Sequence, residues 1–276
     1  MKKCLITVSA LCLLVCVSSP AVAGTIVGGD ASSQASADVL LDIAFVIDTS
    51  ASMDDEIANI TANVKNTIET LSCPDCNVWV RADFYGIDGT YGTLFNQSVD
   101  NITGNSTQTV TNQLEDNAPA VSDMITYYNL WGSNDAISGQ DYYKAIVTIG
   151  DEGTEDGHPV AQDDWNAAYA ANQAAIANDF MIFSLVGTVV PSYAWDETNR
   201  NNVFSAMAIG GTGGGYTFGN TGGTFALTTT STLQQDIKDI ICTAAGGGTP
   251  AVPEPSTILL FGAGLAGLAA FGRRKN

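Results

Sequence analysis

The sequence predicts an α/β fold: a doubly wound, mainly parallel six-stranded sheet with helices on both faces, plus one short apolar helix at the C-terminus. Apolar, strand-like runs alternate with segments of helical periodicity from about residue 38 to residue 245. The first run, 39–47, is apolar almost throughout, which is typical of a central strand buried on both faces. Two of these runs end in polar clusters, and the carboxyl ends of parallel strands meet at one edge of a sheet.

The first helix is predicted over about 54–71, because apolar residues recur there every three or four positions. Its buried face is formed by Ile57, Ile60, Val64, Ile68 and Leu71. Ser52 is the expected N-cap, and Pro74 lies just beyond the expected end.

Later elements follow from the same two periodicities. Strands are predicted at 78–85, 93–99, 144–150, 180–186 and 224–228, with 93–99 antiparallel to 78–85. Helices are predicted at 106–114 and 119–130, along the face of Trp165, Ala168, Tyr169 and Ile176, and along the face of Leu233, Ile237, Ile240 and Ile241. The glycine-rich segment 210–223 is expected to be a loop.

The two termini carry targeting signals rather than parts of the fold. Residues 1–23 combine a basic start, an apolar stretch and an Ala-x-Ala end, the pattern of a secretory signal peptide. A polar leader, 24–37, follows it. At the other end, a linker (246–252) precedes Pro253-Glu254-Pro255, an apolar run from Ile258 to Phe271, and a basic cluster. This run is shorter than the roughly 20 residues of a membrane span.

The order of the C-terminal segment, 253–276, resembles the PEP-CTERM sorting signal of Gram-negative bacteria. The resemblance implies export, processing by an exosortase, and a place at the outer surface, in the envelope or in the extracellular matrix. The C-terminal helix is expected to anchor the chain in the membrane, transiently or permanently. A plain C-terminal anchor is the alternative.

The excess of acidic over basic residues disfavours nucleic acid and anionic lipid as partners. The chain has 29 acidic and 10 basic residues, and the two terminal segments hold one of those acids and five of those bases. The remaining 28 acids and 5 bases form a surface that repels nucleic acid and anionic lipid and attracts divalent cations. In an oxidising compartment, Cys73, Cys76 and Cys242 are candidates for a structural disulfide, with Cys242 paired to one of the other two or left free.

Oxygen-bearing side chains follow two of the predicted strands. Asp48, Ser50 and Ser52 come directly after the first strand, and Asp151 follows the strand 144–150. If both strands lie in one parallel sheet, these groups meet at its carboxyl edge, where open α/β sheets bind ligands. Hydroxyl and carboxylate oxygens suit a hard divalent cation. The alternative is that these residues only cap a helix and form a turn.

The motif Asp48-x-Ser50-x-Ser52, with Asp151 and with Thr221-Gly222-Gly223-Thr224-Phe225, resembles the von Willebrand factor A domain and its metal-ion-dependent adhesion site. The resemblance covers residues 38–245. It implies that Ser50 and Ser52 ligate Mg²⁺ directly and that Asp48 and Asp151 hold its waters or the serine hydroxyls.

The family's remaining ligand, a threonine, has no obvious counterpart in this chain. The corresponding segment, 115–119, contains no Thr, and Asp116 is the expected substitute, with Asn117 next. A carboxylate there would further offset the cation's charge and could favour Ca²⁺ or Mn²⁺.

The expected function is that of a secreted or surface-attached adhesion module. It would capture an extracellular protein or polysaccharide that offers an acidic group to the cation, without catalysis. The alternative is a metal-dependent hydrolase of the envelope or matrix, which would use the same ion as a Lewis acid.

Overall fold

The computed structural model describes residues 26–72, 77–87, 97–98, 115–127, 131–132, 135–188, 191–226 and 230–246. The strands within these ranges are β1 (Ile26–Gly28), β2 (Val39–Ile47), β3 (Val78–Gly86), β4 (Gln97–Ser98), β5 (Asp141–Gly150), β6 (Phe180–Val186), β7 (Gly211–Gly213), β8 (Tyr216–Phe218) and β9 (Gly223–Ala226). The α-helices are α1 (Asp54–Glu69), α2 (Asn117–Tyr127), α3 (Gln162–Ala177), α4 (Glu197–Ile209) and α5 (Thr230–Ala245).

Six strands lie side by side in the order β1-β3-β2-β5-β6-β9. The strands from β3 to β9 in this order are parallel, whereas β1 pairs with β3 antiparallel. Strand β4 adds an antiparallel pair to β3 near its carboxyl end. The predicted α/β class and the mainly parallel sheet are therefore confirmed.

Helices cover both faces of the sheet. On one face, α1 and α5 pack against alternate residues of β2, including Ile43 and Phe45. On the other face, α2, α3 and α4 cover Ala44 and Val46. Both sets of β2 side chains are buried, which explains why this strand is apolar almost throughout. The predicted face of α1 is buried at Ile60, Val64 and Ile68.

The strand order reverses next to β2. The chain passes from β2 through α1 to β3 on one side, and then crosses back so that β5 lies on the other side of β2. The carboxyl ends of β2 and β5 stay paired, since the backbone N–H of Asp48 donates to the carbonyl of Ile149 over 2.8 Å. This is the place in a doubly wound sheet where a crevice opens between the loops.

An ion-pair network ties β3 to β2. Arg81 donates from Nε and Nη2 to the two carboxylate oxygens of Asp42, over 2.6 and 2.8 Å. Asp42 also accepts from Tyr142 and from the backbone of Gly132, and Arg81 also contacts Asp135. A two-pronged, largely buried pair of this kind fixes the strand pairing more firmly than an exposed pair does.

Several elements differ from the sequence-based expectation. The predicted leader contributes the edge strand β1, and the predicted glycine-rich loop contains the hairpin β7–β8. Helix α4 was not predicted. On α3, Ile176 is 42% exposed, whereas Asn172 is buried and bonds to the backbone of Met207 and Gly219. The glycines of the segment 210–223, together with Asn172, allow α3 to pack against the hairpin β7–β8. This contact joins residues far apart in the sequence, so local periodicity does not predict it.

Other predictions fall outside the described residues. These are the signal peptide, the helix at 106–114, most of the strand at 93–99, and the C-terminal apolar helix. Among the residues that the structure describes, no helix has the length and apolar character that crossing a membrane requires.

Candidate functional site

The end of β2 forms a tight polar turn. Asp48 is fully buried, and its Oδ1 accepts a hydrogen bond of 2.6 Å from the backbone N–H of Ser50. This bond folds the chain back after the strand, into the short 3-10 turn Ala51–Met53 that leads into α1. The hydroxyl of Thr49 donates to the carbonyl of Ile87, which links this turn to the residue that follows β3.

The two serines link this turn to β5. The hydroxyls of Ser50 and Ser52 are 2.8 Å apart, and that of Ser52 donates to Oδ1 of Asp151 over 3.1 Å. Ser50 and Asp151 are almost completely buried. Four of the five predicted metal-site residues, Asp48, Ser50, Ser52 and Asp151, thus form one continuous group of oxygens.

The group lacks compensating charge around Asp48. Its second oxygen, Oδ2, is buried and has no hydrogen-bond partner among the described residues. Burial raises the pKa of Asp48 well above its ordinary value, and the neighbouring charge of Asp151 raises it further. A buried carboxylate in this position is costly unless a proton or a cation offsets its charge.

Glu115, rather than Asp116, lies close to this group. Glu115 is buried, and the charges that act on it are those of Asp48, Glu152 and Asp151. Burial, with these three carboxylates and a hydrogen bond to Glu152, raises the pKa of Glu115 to about 10. Of these two neighbours, Glu115 is therefore the one whose carboxylate interacts with Asp48 and Asp151.

Asp116 interacts instead with the far part of the loop that follows β5. Its Oδ1 accepts from the backbone N–H of Asp156 over 3.2 Å, and Asp156, Glu155 and Asp164 are its closest charges. Burial raises the pKa of Asp116 to about 6. The structure thus does not bring Asp116 to the other four predicted residues. Asn117 lies beneath β5, where its Oδ1 accepts from Thr148 over 2.7 Å.

Arg200, on α4, forms a hydrogen bond to the backbone of Asp151. Its Nη1 donates to the backbone carbonyl of Asp151 over 2.7 Å, and its side chain is 2% exposed. Burial lowers the pKa of Arg200, although a guanidinium remains charged in proteins. Sequence reasoning did not identify this residue. The signal available was its rarity, since only five bases lie between the two terminal segments.

Asp196 fastens the loop that follows β5. Its Oδ2 accepts from the backbone N–H of Val160 over 2.7 Å and lies 3.2 Å from Nδ1 of His158. Its Oδ1 accepts from Asn199. Burial acts to raise the pKa of Asp196, but these hydrogen bonds outweigh it and lower the pKa. The loop beside Asp151 is therefore held to the start of α4.

The donor set suits a hard cation. Serine hydroxyls and carboxylates supply only oxygen, which is the ligand type that Mg²⁺, Ca²⁺ and Mn²⁺ prefer. Within the described ranges, no three His, Cys, Asp or Glu side chains form a ready-made metal centre.

The three predicted thiols are only partly described. Cys242, on α5, is disulfide-bonded. Cys73 and Cys76 lie outside the described residues, and the pairing stays a prediction.

Comparison with protein families identifies the C-terminal segment. Residues 251–275 match the PEP-CTERM protein-sorting motif. The chain carries the signal of an exported, surface-sorted protein that an exosortase processes. No curated protein matches the sequence.

The chain is distantly similar to solved structures of other proteins. Two crystal forms of proximal thread matrix protein 1 from the mussel byssus share 14% and 12% identity with this chain, at TM-scores of 0.41 and 0.40. The matches cover 75% and 80% of this chain, and 49% and 48% of the mussel protein. A human COPII-coat protein shares 8% identity over 74% of this chain and 32% of its own, at a TM-score of 0.41. This chain thus spans about half the length of the mussel protein.

Proposed function

We propose that this protein is an adhesion module of the cell surface or extracellular matrix that captures its ligand through a divalent cation. The cation, Mg²⁺ in the first instance, with Ca²⁺ or Mn²⁺ as alternatives, binds at the carboxyl ends of β2 and β5. Ser50 and Ser52 supply direct ligands, while Asp48 and Asp151 orient waters or hydroxyls around it. The ligand is an extracellular protein or polysaccharide that completes the coordination with an acidic group.

The observation that carries this proposal is the buried carboxylate of Asp48. Its Oδ2 has no partner among the described residues, and Asp151 lies close enough to raise its pKa. A cation between these groups would remove the repulsion and use the unpaired oxygen. The sorting motif at residues 251–275 supports a ligand outside the cell.

Two single substitutions, one directly after β5 and one at its first residue, test the proposal. Asp151→Asn removes a charge at the carboxyl end of the strand, whereas Asp141→Asn removes one from an exposed position at its other end. In Mg²⁺ calorimetry, Asp151→Asn is expected to weaken binding at least tenfold and Asp141→Asn to leave it unchanged. Equal Mg²⁺ affinity in the wild type and Asp151→Asn would refute the site.

Ligand capture is tested with the same two variants. Extracellular polysaccharide and envelope proteins are screened for binding with Mg²⁺ and with chelator. Chelator-sensitive binding without turnover, lost only in Asp151→Asn, is the expected result. Metal-dependent turnover that Asp151→Asn abolishes while ligand binding persists would establish the hydrolase instead.

A further inference from the structure

Trp195 exposes its indole at the edge of the sheet where Asp151 lies. At 67%, it is the most exposed of the large apolar side chains that the structure describes. It lies between β6 and α4, and because β6 runs parallel to β5, this segment begins at the same edge as Asp151. Leaving an indole in water forgoes the free energy that its burial would contribute. Its exposure at this edge therefore indicates a role other than folding.

Both ends of the segment that carries Trp195 contact the carboxyl end of β5. Gly187, directly after β6, donates from its backbone N–H to the carbonyl of Gly150 over 2.8 Å. A Cβ atom placed on Gly187 would lie 2.8 Å from Cβ of Asp151. At the other end, Arg200 donates to the carbonyl of Asp151 over 2.7 Å. Trp195 is thus close to the candidate cation site without belonging to it.

The turn beneath the indole is fixed on both sides. The ring of Tyr193 stacks on that of His158, with centroids 4.6 Å apart and planes 18° from parallel. Asp196 accepts from the backbone N–H of Val160. Both chain neighbours of this turn are therefore held to the loop that follows β5. A side chain on a backbone that is already ordered loses less conformational entropy when it binds a ligand.

The surface beside Trp195 is polar and largely uncharged. Three exposed side chains with hydroxyl or amide groups follow Trp195 at helical spacing: Thr198, Asn199 and Asn202. Such groups both donate and accept hydrogen bonds. Glu197, the exposed acid of the same turn, lies 4.0 Å from the guanidinium of Arg200, which partly offsets its charge. One flat aromatic ring with neutral hydrogen-bonding groups beside it suits a sugar.

A protein partner fits this surface less well. In the described ranges, the other exposed large apolar side chains lie elsewhere: Val27 is on the edge strand β1, Ile137 precedes β5, and Ile176 and Ile209 lie in the last turns of α3 and α4. The last three are thus at the opposite edge of the sheet. A stable protein interface buries about 800 Å² per partner around an apolar core. A single indole does not supply such a core, whereas the C–H face of one pyranose ring covers it.

We propose that Trp195 is a sugar-stacking subsite and that the ligand of the cation site is a polysaccharide that contains uronic acid. The C–H groups of a pyranose ring pack on the electron-rich face of the indole. Thr198, Asn199 and Asn202 bond to its hydroxyls, and the carboxylate of a nearby uronic-acid unit reaches the cation. This inference rests on the proposed function and narrows its ligand to an acidic polysaccharide.

The experiment measures binding to alginate, a polymer of uronic acids, by affinity electrophoresis of the intact protein in saturating Mg²⁺. Trp195→Ala removes the ring, and Trp195→Tyr keeps an aromatic face. Ile137→Ala is the matched control, because it removes an exposed apolar side chain from the opposite edge of the sheet. Calorimetry with Mg²⁺ alone and circular dichroism are recorded for every variant. Sedimentation velocity shows whether any variant changes its oligomeric state.

Trp195→Ala is expected to weaken alginate binding about tenfold or more, the loss that truncation of a Trp anchor causes at other interfaces. Trp195→Tyr should retain most of the affinity, Ile137→Ala all of it, and Mg²⁺ affinity should stay the same throughout.

Three results overturn the sugar subsite and leave the proposed function standing. These are a folded wild type that binds Mg²⁺ but not alginate, equal alginate affinity in the wild type and Trp195→Ala, and self-association that Trp195→Ala abolishes, since a second copy would then cover the indole. A wild type that binds no Mg²⁺ refutes the proposed function instead. In that case, alginate binding that still depends on Trp195 supports the stacking subsite, and its absence overturns that as well.

Discussion

Replacing Asp48 with Asn is expected to stabilise the cation-free protein while removing its response to Mg²⁺. The amide keeps an oxygen that can accept from the backbone of Ser50, as Asp48 Oδ1 does over 2.6 Å. It also replaces the unpaired, buried Oδ2 with an N–H donor, in a residue on which the charges of Asp151 and Glu152 act. The substitution thus removes the buried charge without removing the turn.

The magnitude follows from the burial of that charge. An unsatisfied buried polar group costs about 1–3 kcal/mol, and more when it is charged. Relief of this cost should raise the free energy of unfolding by a similar amount. For a domain of this size, about 1 kcal/mol shifts Tm by roughly 2–4 °C, so Tm should rise by about 2–12 °C.

Mg²⁺ should shift the difference in stability toward the wild type. A ligand at 100 times its Kd stabilises the folded state by about 2.7 kcal/mol, and this gain is expected for the wild type only. The assay is thermal unfolding by calorimetry in chelator and in saturating Mg²⁺, with Asp141→Asn as the control for loss of one exposed charge. The reasoning is refuted if Asp48→Asn is less stable than the wild type in chelator, or if both gain equally from Mg²⁺.

Two further predictions concern side chains that stabilise the sheet and the loop beside the site. Arg81→Met should lower the free energy of unfolding by about 3–5 kcal/mol, because it leaves the buried Asp42 without its ion-pair partner. Lys65→Met, which removes an exposed pair, should change it by less than about 1 kcal/mol in urea unfolding, and similar losses in both would contradict the account. Asp196→Asn should destabilise the protein at neutral pH. Because the folded-state pKa of Asp196 is lowered, its contribution is present above the unfolded-state pKa of about 3.9 and is lost as pH falls through the folded-state value. The Tm difference between the wild type and Asp196→Asn should therefore shrink at acid pH, and a gap that stays constant would contradict this assignment.

Local pattern was sufficient for the elements that form the core. The strand Val39–Ile47 and the buried face of α1 follow from residue type and spacing alone, since both depend on contacts that every central strand and amphipathic helix makes. The edge strand β1 and the hairpin β7–β8 depend instead on distant partners. Each of the three strands has only three residues, which is too short for a periodic signal.

The site residues divide in the same way, into those that local pattern predicts and those that depend on distant contacts. Asp48, Ser50, Ser52 and Asp151 could be grouped from the sequence, because two parallel strands deliver them to one edge. The choice between Glu115 and Asp116 could not be made in this way. These neighbours interact with different residues of the loop 151–157, Glu115 with Glu152 and Asp116 with Asp156, and their own residue types do not reveal which partner each one has.

The most direct measurement is a crystal structure of the protein with Mn²⁺, using the metal's anomalous scattering to locate it. The account predicts a strong peak within coordination distance of the Ser50 and Ser52 hydroxyls, on the Asp151 side of the turn. An anomalous map without a peak at this edge, at a Mn²⁺ concentration that saturates the protein in solution, would contradict it.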